Sequence, residues 1–288
     1  MNSNNNNFYF KNIDSVYLIA EIGINHNGNI DFVKKMIDYA LVFGWNCVKL
    51  QKRNPDKSVP EHQKNIIKDT PWGKMTYLEY KHKMEFDKSQ YSEIEKYCSD
   101  KIKFTASVWD IESVDFMDDF DVPFIKVPSA HLTNDDLIKY ICKKKLPVLL
   151  STGMSTTEEV DHAVELITSF TDNFALMHTN SSYPAHEEEL NLNVIKTFQE
   201  RYKCVVGYSG HEFGLVPTTT SVALGAKIIE RHVTIDRTMW GTDQIASVEP
   251  QGMLKLVTHI RAIEKALGDG IKKVYDSELL IRKKLRGY

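Results

Sequence analysis

The stretch FIKVPSAHLTNDDLIKYICKKKLPVLLSTG, Phe124 to Gly153, places a short apolar run on each side of a longer amphipathic one. Phe124–Val127 and Pro147–Ser151 read as buried strands, and Thr133–Lys144 between them as a helix. The stretch therefore predicts one βαβ unit with parallel strands. Outward in both directions the alternation continues. Strands are predicted at Val16–Ile22, Asn46–Gln51, Ile102–Ser107, Phe174–His178, Cys204–Tyr208 and Lys227–His232. Helices are predicted at Ile30–Phe43, Ile111–Phe120, Thr156–Ser169, Leu192–Arg201 and Leu215–Leu224, with Gln251–Leu267 after the last strand. Right-handed crossovers leave an open doubly wound sheet or a closed ring. Eight strands in 288 residues favour the closed ring, an α/β fold of the (β/α)8 TIM barrel type, which needs about 250 residues.

No composition break divides the chain. Residues 1–288 are expected to form one barrel domain, with 1–15 as an N-terminal extension and 268–288 as a C-terminal helix or linker remnant. Lys52–Lys88, rich in charge and holding Pro55, Pro60, Pro71 and Trp72, is the one long irregular insertion and reads as a lid or interface loop. With 42% hydrophobic and 26% charged residues there is ample material for a core. A net charge of −3 gives no footing for nucleic acid or an anionic membrane. No apolar run approaches the roughly 20 residues that span a bilayer. The opening MNSNNNN lacks the regions of a secretory signal. Cys47, Cys98, Cys142 and Cys204 are scattered and form no CxxC pair. They read as buried free thiols in a reducing cytoplasm, not as zinc ligands or disulfides. The basic tail Arg282–Arg286 reads as a helix end or surface.

A barrel strand should be apolar along its length, yet these runs give way to polar residues at their C-terminal ends. The first ends in Ala20-Glu21 and runs on to Asn25-His26-Asn27-Gly28. The second carries Lys49 and Gln51, the third Ser107, the fourth Lys126 and Ser129, the fifth Ser151-Thr152-Gly153. The sixth leads through His178 and Asn180 to Ser181 and Tyr183, the seventh to Ser209 and His211, and the eighth carries Glu230 and His232. That rim is where barrel enzymes build their sites. The recurrence carries the reading, not any one residue.

The side chains share a chemical theme. Lys49 and Lys126 supply cations from different strands, while Ser107, Ser129, Ser151 and Ser209 add hydroxyl donors. Together they suit a phosphate or a phosphate-carboxylate ligand, although any one serine alone reads as a cap or turn, and a lone strand lysine as snorkelling to solvent. His211 and His232 end consecutive strands, so their imidazoles would meet over a barrel mouth. Such a pair suits Mn, Fe, Co, Ni or Zn with open positions for substrate oxygens; two unrelated histidines are an equal reading of the spacing. Glu21 and Asp243 would orient water or sugar hydroxyls, with a turn residue as the other reading of Asp243. Glu230, two residues before His232, reads as an outer partner of that imidazole.

The runs AEIGINHNG (Ala20–Gly28), VKLQ (Val48–Gln51), FIKVPS (Phe124–Ser129), LLSTGM (Leu149–Met154), SSYP (Ser181–Pro184), VGYSGH (Val206–His211), IERHVTIDRTMWGTDQ (Ile229–Gln244) and SVEP (Ser247–Pro250) resemble the N-acetylneuraminate (sialic acid) synthase family, in its order. The resemblance implies a transferase that forms a C–C bond between phosphoenolpyruvate and an N-acylated mannosamine-type aldehyde sugar. The product would be a nine-carbon 2-keto sugar acid of the sialic, legionaminic or pseudaminic type, plus phosphate. It implies His211 and His232 as metal ligands, with manganese first and magnesium or cobalt as alternatives. Lys49, Lys126, Ser107, Ser129, Ser151 and Ser209 match positions around phosphoenolpyruvate, and Ser181 falls where some members have asparagine. Glu21, Gln51, Tyr183 and Asp243 match positions near the sugar or the attacking water. A cytoplasmic homodimer is implied as well.

Three departures stand out. Bacterial members usually carry a C-terminal antifreeze-like domain that reaches the partner's site with an arginine, and this chain stops at Tyr288. The expectation is a separate cap, a differently held sugar, or reduced activity. Gly210 stands where aspartate is common and Gln244 where many members have histidine, which suggests a modified sugar. Two other functions fit parts of the pattern: a Schiff-base keto-acid aldolase using Lys49 or Lys126, and a non-catalytic sugar- or phosphate-binding barrel.

Overall fold

Ile19, Cys47, Phe124, Leu149 and Ile228 each stand two residues before a polar one: Glu21, Lys49, Lys126, Ser151 and Glu230. Side chains two apart in extended chain share a face, so this spacing stacks a polar layer on an apolar one. A computed structural model describes residues 8–287. Its eight barrel strands are β1 (Tyr17–Gly23), β2 (Cys47–Lys52), β3 (Lys103–Val108), β4 (Ile125–Val127), β5 (Val148–Ser151), β6 (Phe174–Thr179), β7 (Val205–Gly210) and β8 (Ile228–His232). They close in the order β1-β8-β7-β6-β5-β4-β3-β2, all parallel. The TIM-barrel expectation holds.

Helices form the outer ring where caps and apolar stripes dictate. Ile30–Phe43 starts at Asn29, whose side chain accepts from the Asp31 N–H, and stops at Gly44 with φ 82°. Its buried face is Val33, Met36, Ile37 and Ala40, one stripe at helical spacing. Thr157–Thr168 opens with a capping box between Thr156 and Glu159. The principal core lies between these helices and the barrel wall.

Inside the ring a second cluster gathers Ile19, Cys47, Phe124, Leu149, Ala175, Met177 and Ile228 with Phe10. Phe10 is 2% exposed and packs 5.5 Å from the Phe124 ring, a burial that stabilises by roughly 2–3 kcal/mol. Phe8 and Tyr17 surround it. The segment expected to be a mere extension is therefore, from Phe8 onward, a plug in the floor of the barrel. The MNSNNNN start lies outside the described residues.

The insertion is not irregular. It folds as short helices Pro55–Ser58 and Glu61–Lys64, a hairpin of Ile67–Thr70 with Gly73–Thr76, and the helix Tyr77–Met84. A Thr76–Glu79 capping box starts that last helix, and an Asp87–Gln90 box starts a further one, Lys88–Cys98, absent from the sequence reading. The chain closes with the exposed helix Asp276–Arg286. All four cysteines are free thiols, buried except Cys204, which is partly exposed. Among the described residues no helix is long and apolar enough to cross a membrane.

Candidate active site

Parallel register brings the polar layer together at the C-terminal ends of the strands. Glu21 pairs with Lys49 on one side and His232 on the other, Ser107 with Lys126, and Ser209 with Glu230. Above the plugged floor they line a cavity of about 190 Å3. Lys49, Gln51, Ser107, Lys126, Ser129, Ser151, Ser181, Tyr183, Ser209, His211, Glu21 and His232 all face it. Asp243 lies off its lining, with Oδ2 3.8 Å from Nδ1 of His232, as do the strand-end residues Asn25, His26, Thr152, His178 and Asn180.

Both lysines are buried and held by carboxylates. Lys49 Nζ lies 2.5 Å from Glu21 Oε2 and donates to Ser107 Oγ at 2.7 Å. Lys126 donates to both oxygens of Glu230, at 2.9 and 3.1 Å. Lys49 also lies 3.6 Å from Glu230, and Ser209 donates to it at 3.1 Å. Burial by itself would raise the Glu230 carboxyl, but the two ammonium groups outweigh it and hold it down to about 2. Burial raises Glu21, with Lys49 opposing. For Lys126 burial lowers the ammonium while Glu230 opposes. Glu230 is thus a partner of the lysines and not, as its spacing suggested, of His232. Its signal was the register with Ser209, which a single sequence does not display.

The serines form a second wall. Ser129 Oγ accepts from the Gly153 N–H at 3.0 Å. A side chain at Gly153 would meet Ser181 Oγ at 2.2 Å and Ser129 Oγ at 2.8 Å, so glycine keeps these hydroxyls free to converge. Gly23 does the same on the acid side. At φ 54°, a Cβ there would crowd Glu21 Oε1 at 3.1 Å, His232 Cε1 at 3.2 Å and Gln51 Nε2 at 3.3 Å. Gln51 donates to Glu21 at 3.3 Å and is itself bonded by Arg53, a residue sequence reading passed over along with Trp109 and Thr179.

The two imidazoles do meet, ring centroids 5.4 Å apart. His211 Nδ1 lies 2.6 Å from the Asn180 carbonyl, which assigns the proton to that nitrogen and leaves Nε2 facing the Tyr183 hydroxyl at 3.0 Å. Burial, and then His232, push His211 down to about 3, so it is neutral, the ligand form. His232 Nδ1 is buried with no hydrogen-bond partner among the described residues. An orphaned buried nitrogen beside a neutral imidazole fits a divalent cation with two protein ligands and open positions. Among the described residues no group of three or more His, Cys, Asp or Glu side chains is arranged to hold a metal, so a closed structural cage does not fit.

Two of the departures have structural explanations that point away from the sugar. Gln244 is buried, its amide nitrogen donating to the Asn25 carbonyl at 3.1 Å and its oxygen accepting from Thr234. It braces the loop instead of facing the cavity. A Cβ at Gly210 would lie 2.6 Å from Glu212 Oε2, part of a buried network with Arg231, Thr218 and Tyr208. Glu212 fills the space that a residue-210 side chain would need.

This geometry has relatives. A sequence profile described as the NeuB family matches residues 36–272. The N-acetylneuraminate-9-phosphate synthase of Drosophila melanogaster is 41% identical over 87% of this chain and 68% of its own. The N,N'-diacetyllegionaminic acid synthase of Campylobacter jejuni is 36% identical over 91% of this chain and 80% of its own. Among solved structures, an N-acetylneuraminic acid synthetase from Leptospira borgpetersenii in complex with citrate superposes with a TM-score of 0.84 at 31% identity, covering 96% of this chain and 94% of that one. Profile, relatives and barrel agree over most of the sequence, and the chain belongs to the NeuB family.

Proposed function

We propose that this barrel condenses phosphoenolpyruvate with an N-acylated mannosamine-type aldehyde sugar, releasing phosphate and a nine-carbon 2-keto sugar acid. The observation that carries it is two buried ammonium groups and a ring of serine hydroxyls sharing one cavity with two adjacent imidazoles.

Before substrate arrives, two carboxylates balance the two ammonium groups. Phosphoenolpyruvate brings more negative charge into a buried space, where its oxygens compete for Lys49 and Lys126. Glu21, already held up by burial, is placed to take a proton. A divalent cation between His211 and His232, manganese first with magnesium or cobalt as alternatives, would polarise the aldehyde oxygen as a Lewis acid. The methylene carbon of phosphoenolpyruvate attacks the aldehyde carbon, and that oxygen ends with the proton that Glu21 receives from the attacking water. Water held by Glu21 and Gln51 adds at the enol carbon, giving its proton to the carboxylate. The hydroxyl now on that carbon gives its proton to the departing phosphate as the carbon–oxygen bond breaks, leaving the keto acid. Tyr183 and Asp243, flanking the imidazoles, are the groups for the sugar hydroxyls.

A Schiff base needs a neutral amine. Lys49 faces two carboxylates and is held up as ammonium, and Lys126, although lowered by burial, commits its protons to both oxygens of Glu230. The family resemblance also supports a cytoplasmic homodimer and one barrel domain along the chain. The test is incubation with phosphoenolpyruvate, Mn2+ and a panel of N-acylated hexosamines, following phosphate release and product mass. Turnover should vanish with chelator and in His211→Ala and His232→Ala. Chelator-insensitive turnover, or full activity in either variant, excludes the metal assignment.

A further inference from the structure

The ladder between β7 and β8 ends one step short of the imidazoles. Its last register pair is Arg231 with Gly210, so His211 and His232 both lie beyond it. Each is tied elsewhere. His232 stands opposite Glu21 on β1, and its carbonyl accepts from the Val248 N–H at 2.7 Å. His211 is held from the opposite side. Its carbonyl accepts from the Ala185 N–H at 3.1 Å, in the loop after β6, and its ring stacks on Tyr183 at 4.0 Å. Among the described residues no strand pairing sets one imidazole against the other.

Behind the barrel wall a buried network bridges that gap. Arg231, 1% exposed, precedes His232, and Glu212, 0% exposed, follows His211. The Arg231 guanidinium donates to the Glu212 carbonyl at 2.7 Å, to its carboxylate at 3.1 Å and to the Gly214 carbonyl at 2.9 Å. The carboxylate accepts in turn from Thr218, on the helix Val216–Ala223, at 2.6 Å, and from Tyr208 on β7 at 2.9 Å. Neighbouring side chains on a strand point to opposite faces, so Arg231 turned outward leaves His232 turned into the cavity. The guanidinium thus clasps the chain one residue past His211 from one residue before His232. A buried ion pair returns little net stability, but a rigid planar fork fixes direction as well as distance.

We propose that Arg231 and Glu212 are positioning residues, whose ion pair fixes the separation of His211 and His232 and thereby sets the affinity of the site for a divalent cation. This rests on the metal reading above and adds the groups that aim its two ligands.

The test is calorimetry of the metal-free protein with Mn2+ alone and with phosphoenolpyruvate alone, beside melting curves. Glu212→Ala removes both the counter-charge and the bonds. Glu212→Gln removes the charge but keeps an oxygen for Arg231. Both should melt below wild type, because each leaves the guanidinium charge buried without its partner. Mn2+ affinity should instead follow geometry. It should fall by about ten- to a hundred-fold in Glu212→Ala, the loss typical of groups that orient metal ligands, and stay near wild type in Glu212→Gln. Thr218→Val keeps both charges and should weaken Mn2+ in the same direction as Glu212→Ala, by less; it decides the matter if Glu212→Ala does not fold. Phe10→Ala, which loosens the barrel floor, should lower Tm and leave Mn2+ affinity alone. Affinity for phosphoenolpyruvate should hold in every Glu212 and Thr218 variant. Equal Mn2+ losses in Glu212→Ala and Glu212→Gln, or a loss in Phe10→Ala matching its Tm, overturn the proposal. So does Mn2+ binding that requires His211 yet ignores Glu212→Ala and Thr218→Val, an outcome that keeps the metal site. Mn2+ binding that survives His211→Ala removes the metal site itself, and this assignment with it.

Discussion

Lys126 shows how little of this site's polarity serves stability. Its ammonium and the Glu230 carboxylate form a buried pair at 2.9 Å, and such pairs rarely outperform an apolar replacement. Removing one partner is another matter. Lys126→Met leaves Glu230 with Lys49 at 3.6 Å and Ser209 at 3.1 Å, so a loss of about 3–5 kcal/mol is expected. In a chain of this size that is on the order of 10 °C in Tm. Neutralising the orphan as well, in Lys126→Met/Glu230→Gln, should restore most of the Tm. KM for phosphoenolpyruvate should stay raised at least ten-fold in both, with KM for the sugar little changed. A double variant that regains phosphoenolpyruvate affinity along with its Tm would make the pair a structural strut and refute the role in binding phosphate.

At the scale of an element, the loop leaving β5 is the most exacting. Gly153 is short of a side chain where Ser129, Ser181 and Thr179 crowd in, the last at 2.9 Å from an added Cβ. Gly153→Ala should cost about 1–3 kcal/mol through overpacking and raise KM for phosphoenolpyruvate more than KM for the sugar. An unchanged KM for phosphoenolpyruvate would place the anion elsewhere in the barrel. Strands such as β5 were legible in the sequence to within a residue or two, because a short apolar run between turn residues has few other readings. Their polar ends were legible too, since a lysine or serine terminating a core strand contradicts burial. What a single sequence does not display is who meets whom. Lys126 and Glu230 are 104 residues apart, and the ring's closure, not local spacing, joins them. The insertion was illegible for another reason: its hairpin strands are four residues each and its first two helices four each, lengths at which periodicity carries no signal. The burial of Lys81 was hidden there, since nothing in YLEYKHKM marks which of its cations is buried.

The molecule keeps His26, His178 and His211 neutral by burying them, and that has a consequence in acid. His26 is 2% exposed, stacks on Phe86 at 4.4 Å, and accepts the Gly28 N–H at 3.0 Å. Burial lowers it from 6.5 to about 3, with Arg53 contributing in the same sense, and burial lowers His178 as well. A folded pKa below the unfolded one means that the unfolded chain takes up the proton first. For His26 the stability is therefore complete above about 6.5 and drains away as pH falls toward 3, at about 1.4 kcal/mol per pH unit, and His178 adds to it in the same direction. Wild-type Tm should fall steadily below pH 6.5. Asparagine in place of His26 retains an acceptor for Gly28 but takes up no proton, so His26→Asn should shed one histidine's share of that slope. If the two acid limbs run parallel, His26 is not held neutral by the fold. The same dehydrated interior leaves the His232 nitrogen unpaired and the two lysines dependent on their carboxylates. Acid sensitivity and affinity for a cation and an anionic substrate thus share one cause, polar groups held out of water at the mouth of a sealed barrel.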